Sequence, residues 1–275
     1  MKTNAKTGKI IGYILLIILM VISSLFLENL LLMGTYALLM DVLKISPQIL
    51  MQQDIWIEIV VNTIMLGIYF GIYQMVFGKE KQENSIGLIP KYVGQSIVMG
   101  LGVAGISFLW LTFAEKIPSF SESMSILAKA EYAMRGLNPA IIILLFVILG
   151  PTLEELAFRG VIFRSLEKIK KGWFPIIVSA LLFGLCHMIF VQSVYTFVFG
   201  LVAAIIYEKT RNILYPILCH MAINLMSAIS GMIPEGIGEM IINIVVVIMI
   251  VPMGYFLYKM LRRTEDIQQT VPKQF

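Results

Sequence analysis

Charge is what this sequence has least of. Asp, Glu, Lys and Arg make up 14% of its 275 residues, where a soluble domain carries about 25%. The deficit argues against a cytosolic enzyme. With apolar types at 59%, it argues against a disordered chain as well. No dense basic face is present, so nucleic acid is not an expected partner. Two cysteines cannot build a disulfide framework, and both read best as small apolar packing residues. Histidine also occurs only twice. Hydrophobic runs fill the chain instead: mean hydropathy is +0.88, and the expected fold is all-α, a polytopic membrane protein.

Crossing a hydrocarbon core of about 30 Å takes about 18 or more residues without charge. Stretches 10–27, 59–78, 92–114 and 136–153 qualify. Stretch 172–207 is too long for one helix and divides near 191–193, and 212–234 and 240–258 complete eight transmembrane helices. Each must be helical because lipid leaves backbone polar groups no other partner. Gly100, Gly102 and Gly105 in the third span read as close-packing positions. Segments 28–54 and 115–135 are too polar for simple spans and are expected at the surface, amphipathic or re-entrant. Lys2, Lys6 and Lys9 precede the first run as in a signal peptide, but no small-x-small cleavage site follows, so the run reads as a retained anchor.

Lys and Arg set the orientation. Lys44, Lys116, Lys129 and Arg135 fall on outer segments and all the rest of the 21 on inner ones, which places both termini in the cytoplasm. Three regions follow: 1–136 with the first three spans, 137–230 as a polar-bearing core, and 231–275 with the last span and tail.

Polar groups at membrane depth are costly and mark function, and here they gather in the C-terminal half. Glu154, Glu155 and Arg159 close the fourth span, whose end in this cluster puts functional groups near the inner ends of their helices. Phe183 precedes His187 by one turn, and His220 precedes Asn224 by one turn. These are the only two histidines of the chain. Glu155 and Arg159, four apart, can form an ion pair, while Glu154 points about 100° away and is free to face another helix.

Glu154-Glu155-x-x-x-Arg159, Phe183-x-x-x-His187 and His220-x-x-x-Asn224, in this order on separate helices, resemble the three motifs of the CPBP intramembrane proteases. This is the CAAX-protease and bacteriocin-processing family, also called Abi or Rce1-like, and the resemblance covers about residues 137–230. It implies an endopeptidase acting on lipidated (CAAX-like), pheromone or bacteriocin-type peptides or on membrane proteins. It also implies that Glu154 and His187 activate a water while His220 and Asn224 donate to the oxyanion. Arg159 would hold Glu155 ionised and fix the helix end, with Phe183 packed beside His187. Some members serve self-immunity, so a non-catalytic binding scaffold is an alternative.

Other intramembrane chemistries lack their parts. No His-Glu-x-x-His occurs, Gly105-Ile106-Ser107 is followed by Phe108 rather than Gly, and Asp41, Asp54 and Asp266 stand outside the spans. An ion-coupled transporter could use the same buried charges, but no inverted repeat of broken helices is evident. Glu154, His187 and His220 also match the His₂Glu ligand set of catalytic zinc. Because no short spacing pre-forms a chelate, the favoured reading has no cofactor, with zinc left open.

Overall fold

The computed structural model describes residues 2–80, 85–134, 136–233 and 236–270. Lys81, Arg135 and Lys273, which enter the charge bias, and Pro234, the expected end of the seventh span, lie outside the described residues. Among the described residues there are helices and no strand. In chain order they are α1 (Lys2–Ala37), α2 (Pro47–Phe77), α3 (Pro90–Ala114), α4 (Ser121–Met134) and α5 (Pro139–Ile169), followed by α6 (Trp173–Cys186), α7 (Phe190–Thr210), α8 (Leu214–Met232), α9 (Ile237–Ile248) and α10 (Ile250–Thr270).

Among the described residues, seven helices are long and apolar enough to cross a membrane, and α6 is a shorter apolar helix of 14 residues. The protein is an integral membrane protein. Stretch 172–207 divides into two helices as expected, but earlier than expected. Helix α6 stops at Cys186, not near 191–193, because Met188 takes a left-handed φ of 60°, a conformation that ends helices. A second correction concerns 28–42, expected as a separate surface piece. The apolar helix runs from Thr7 to Val42 and absorbs it, with Glu28 bonded to Asn62 Nδ2 at 2.9 Å. Large apolar side chains such as Leu15, Ile18, Leu19 and Ile22 are exposed along α1. Water would not tolerate a face of that extent, whereas lipid suits it.

Prolines punctuate the helix starts. Pro47, Pro90 and Pro139 each stand at the first helical positions, where a missing N–H costs nothing. Before Pro139, the Asn138 side chain accepts from Ala140 N at 2.9 Å as an N-cap.

The chain forms two compact units, Met1–Lys81 with Ile148–Pro175, and Gln82–Val147 with Ile176–Phe275. In the first, α1 and α2 pack with each other and with the later part of α5. Tyr69 OH and Ser23 Oγ hydrogen-bond at 2.5 Å. Glu80 pairs with Arg164 at 3.0 Å and Lys168 at 2.8 Å, and the Arg164 guanidinium lies 4.4 Å from the Phe77 ring centroid.

In the second unit α3 packs against α7, α8, α9 and α10. Its glycines permit this, as expected for close packing. A Cβ on Gly100 would lie 2.2 Å from the Cys219 carbonyl oxygen, and one on Gly105 the same distance from that of Val246. Segment 85–89, which leads into α3, is held to the α7–α8 turn. Ile86 N donates to Thr210 O at 2.8 Å, Asn212 Nδ2 to Ile86 O at 3.0 Å, and Tyr215 OH to Gly87 O at 2.6 Å.

Candidate active site

The acidic motif lies in α5, which is not a uniform helix. Its backbone widens to a π-helix over Ile143–Leu149 and again over Leu156–Phe163, with an ordinary α segment, Gly150–Glu155, between. Pro151 supplies a physical reason for the first widening, since its ring cannot donate and crowds the preceding turn. π segments inside α-helices often accompany functional positions.

At the second widening Arg159 Nη1 donates to Glu155 Oε1 at 2.9 Å, and both side chains are 0% exposed. The expected ion pair is present and sealed. Glu154, the next position round the helix, is half-buried. The helix does not close at this cluster, where the sequence expectation ended the fourth span. All eight residues of Leu156–Phe163 are buried, and the helix continues to Ile169. Arg159 serves an internal carboxylate here.

The histidines belong to the second unit. His187 follows the last residue of α6, and its Nδ1 lies 2.8 Å from Phe183 O. A carbonyl can only accept, so Nδ1 carries the proton, and in the neutral ring Nε2 keeps the lone pair. The helix end thus fixes both the orientation and the tautomer of the imidazole. His220, in α8, is 6% exposed.

Phe183 connects the two. Its ring centroid is 4.9 Å from that of His187 and 5.8 Å from that of His220. Phe199 of α7 completes the cluster, 5.4 Å from Phe183 and 4.3 Å from His220. Close helix approach brings these rings together. A Cβ on Gly184 would lie 2.8 Å from Ser193 O, and one on Gly200 would lie 2.9 Å from Ala180 Cα. Sequence reasoning missed Phe199, and no local signal marks it: Phe-Gly occurs at 183–184 and 199–200 but also at 70–71 and 77–78, where no other helix approaches the glycine.

Asn224 Nδ2 donates to Phe146 O at 2.7 Å, so one amide N–H engages the first π segment and the second remains for another acceptor. Cys186 and Cys219 are not joined in a disulfide, and Cys219 is buried against α3.

The structure therefore joins Glu155 to Arg159, and Phe183 to both histidines. Glu154, Glu155 and Arg159 belong to the first unit, and Phe183, His187, His220 and Asn224 to the second. Among the described residues, no group of three or more His, Cys, Asp or Glu side chains is placed to hold a metal ion.

Residues 136–226 match the family model described as type II CAAX prenyl endopeptidase Rce1-like. The chain is also 27% identical over 135 residues to "Putative membrane peptidase YdiL" of Bacillus subtilis (strain 168), an alignment covering 44% of this chain and 54% of that protein. The chain thus spans about half the length of this curated relative. No solved structure matches it.

Proposed function

We propose that this protein is an intramembrane endopeptidase that hydrolyses peptide bonds with a water activated by glutamate and histidine, without a metal cofactor. The observation that carries the reading is the histidine cluster: the chain's only two histidines, one just after α6 and one on α8, both contact the Phe183 ring. They do so within the segment that matches an endopeptidase family.

In this reading Glu154 takes a proton from water and the resulting hydroxide attacks the scissile carbonyl carbon. His187, with its proton held on Nδ1, offers Nε2 to orient that water. His220 and the second N–H of Asn224 donate to the oxyanion, the part of amide hydrolysis where preorganised donors matter most. The proton taken by Glu154 then passes to the departing amine as the C–N bond breaks. Glu155 and Arg159 shape the helix behind Glu154 and take no part in the proton transfers.

The substrate class is lipidated (CAAX-like), pheromone or bacteriocin-type peptides, or membrane proteins, engaged on the cytoplasmic side. Both termini are cytoplasmic in this proposal, and accessibility tags at each terminus and in the 165–172 loop test that orientation. The decisive experiment incubates purified protein with a panel of prenylated and leader-bearing peptides and identifies products by mass spectrometry. A defined cut made by the wild type and lost in Glu154→Gln supports the reading. An intact panel, or equal cleavage by the variant, overturns it.

A further inference from the structure

We propose that Phe199 is a positioning residue for His220, holding its imidazole at the angle at which the ring can donate to the reacting oxyanion. The inference rests on the endopeptidase reading and extends it to a residue outside the three motifs.

His220 stands on α8 with little exposure, and burial alone does not orient a ring. Two aromatic rings do so here. The Phe199 centroid is 4.3 Å away with the planes tilted by 48°, and that of Phe183 is 5.8 Å away at 75°, edge to face. Aromatic pairs favour such offset and edge-on arrangements over a free range of angles, so together they restrict the rotation of the His220 ring.

Phe199 itself has little freedom. It is 3% exposed and makes an edge contact with Phe183 at 5.4 Å and 66°. Its successor Gly200 brings α7 to within van der Waals contact of Ala180 on α6. The α6–α7 crossing sets Phe199, and Phe199 sets His220. His187 is held by a different device, its hydrogen bond to Phe183 O, so a disturbance of Phe199 acts on one histidine and spares the other's anchor.

A leucine at 199 keeps apolar bulk but no flat face, and a methionine fills the space flexibly. Tyrosine retains the ring. Because the chain has only two histidines, protein labelled with ¹³C,¹⁵N-histidine in micelles gives two sets of ring signals, assigned with His187→Gln. In Phe199→Leu and Phe199→Met, the His220 signals should lose their ring-current displacement and broaden, while those of His187 stay in place. In the same variants kcat should fall about 10–100-fold at nearly constant KM, as expected when a reacting group moves by about 1 Å. Phe199→Tyr should restore both.

Unchanged His220 signals in Leu and Met variants overturn the proposal. So does a wild-type kcat in variants whose signals have moved. If the signals respond as stated but the wild type cuts no peptide of the panel, the endopeptidase reading fails and the hold of Phe199 on His220 stands.

Discussion

The two polar constellations of this protein are built in opposite ways. Glu155 and Arg159 come from one helix, one turn apart, and form a pair with no exposure. The histidine cluster draws on α6, α7 and α8, and its members meet through aromatic rings. A local pair of buried charges secures its own helix, because either charge alone would be costly in a low dielectric. A cluster assembled from three helices depends on how those helices cross, so what it holds is orientation. The first arrangement suits stability and the second suits chemistry.

Substitutions should separate these roles. The largest effect is expected at Glu154, the carboxylate beside the sealed pair. Glu154→Gln keeps the volume but cannot accept a proton, and hydrolysis should fall at least 100–10,000-fold, the range general-base catalysis supplies. Its melting curve in detergent should stay within the scatter of wild type. A large loss of melting temperature would move Glu154 to the structural side of the comparison.

Arg159→Ala should do the reverse. Stranding Glu155 in a buried site costs about 3–5 kcal/mol, so yield and melting temperature should drop together with activity. Replacing Glu155 by Gln in that background should recover part of the stability, which differential scanning fluorimetry can read. If the double variant melts no higher than the single one, the sealed pair is not what holds this helix.

Asn224→Ala tests whether one residue can belong to both classes. Losing an oxyanion donor costs about 100–1,000-fold in rate. Losing the bond to Phe146 O removes about 1 kcal/mol of stability besides. A stability loss with the rate intact would leave Asn224 only its hold on the π segment.

The smallest effect is expected at Met188, whose φ of 60° costs a side chain about 1–2 kcal/mol. Met188→Gly should raise the melting temperature slightly while loosening the turn next to His187, and kcat should fall by a few-fold. A stabler variant with unchanged kcat would show that Phe183 O alone suffices to hold the ring.

How much was legible beforehand follows the same division. The Glu155–Arg159 pair and the Phe183–His187 contact each join residues four apart in the sequence, and 3.6-residue periodicity delivers such contacts within a helix and at its end. Phe199 against His220 depends on helix crossing, which no local pattern encodes. The end of the helix that carries Arg159 was missed for a related reason. Charge closes the apolar run in the sequence, but here an internal carboxylate pairs with it and the helix continues to Ile169. The end of α6 was also hidden, because a left-handed methionine carries none of the glycine or proline signals that announce a stop.

The brevity of α6 has a consequence for the surrounding lipid. Its 14 residues rise about 21 Å, against a hydrocarbon thickness of about 30 Å. If its Trp173 end sits at one headgroup layer, the turn bearing His187 stops short of the other. Neighbouring lipids would then thin or tilt to meet it, at a cost of fractions of a kcal/mol per Å of mismatch. Acyl-chain length is then a variable to which this protein should respond: reconstituted in vesicles of progressively longer phospholipids, the His187 end should sink deeper below the interface, and water would travel farther to reach it.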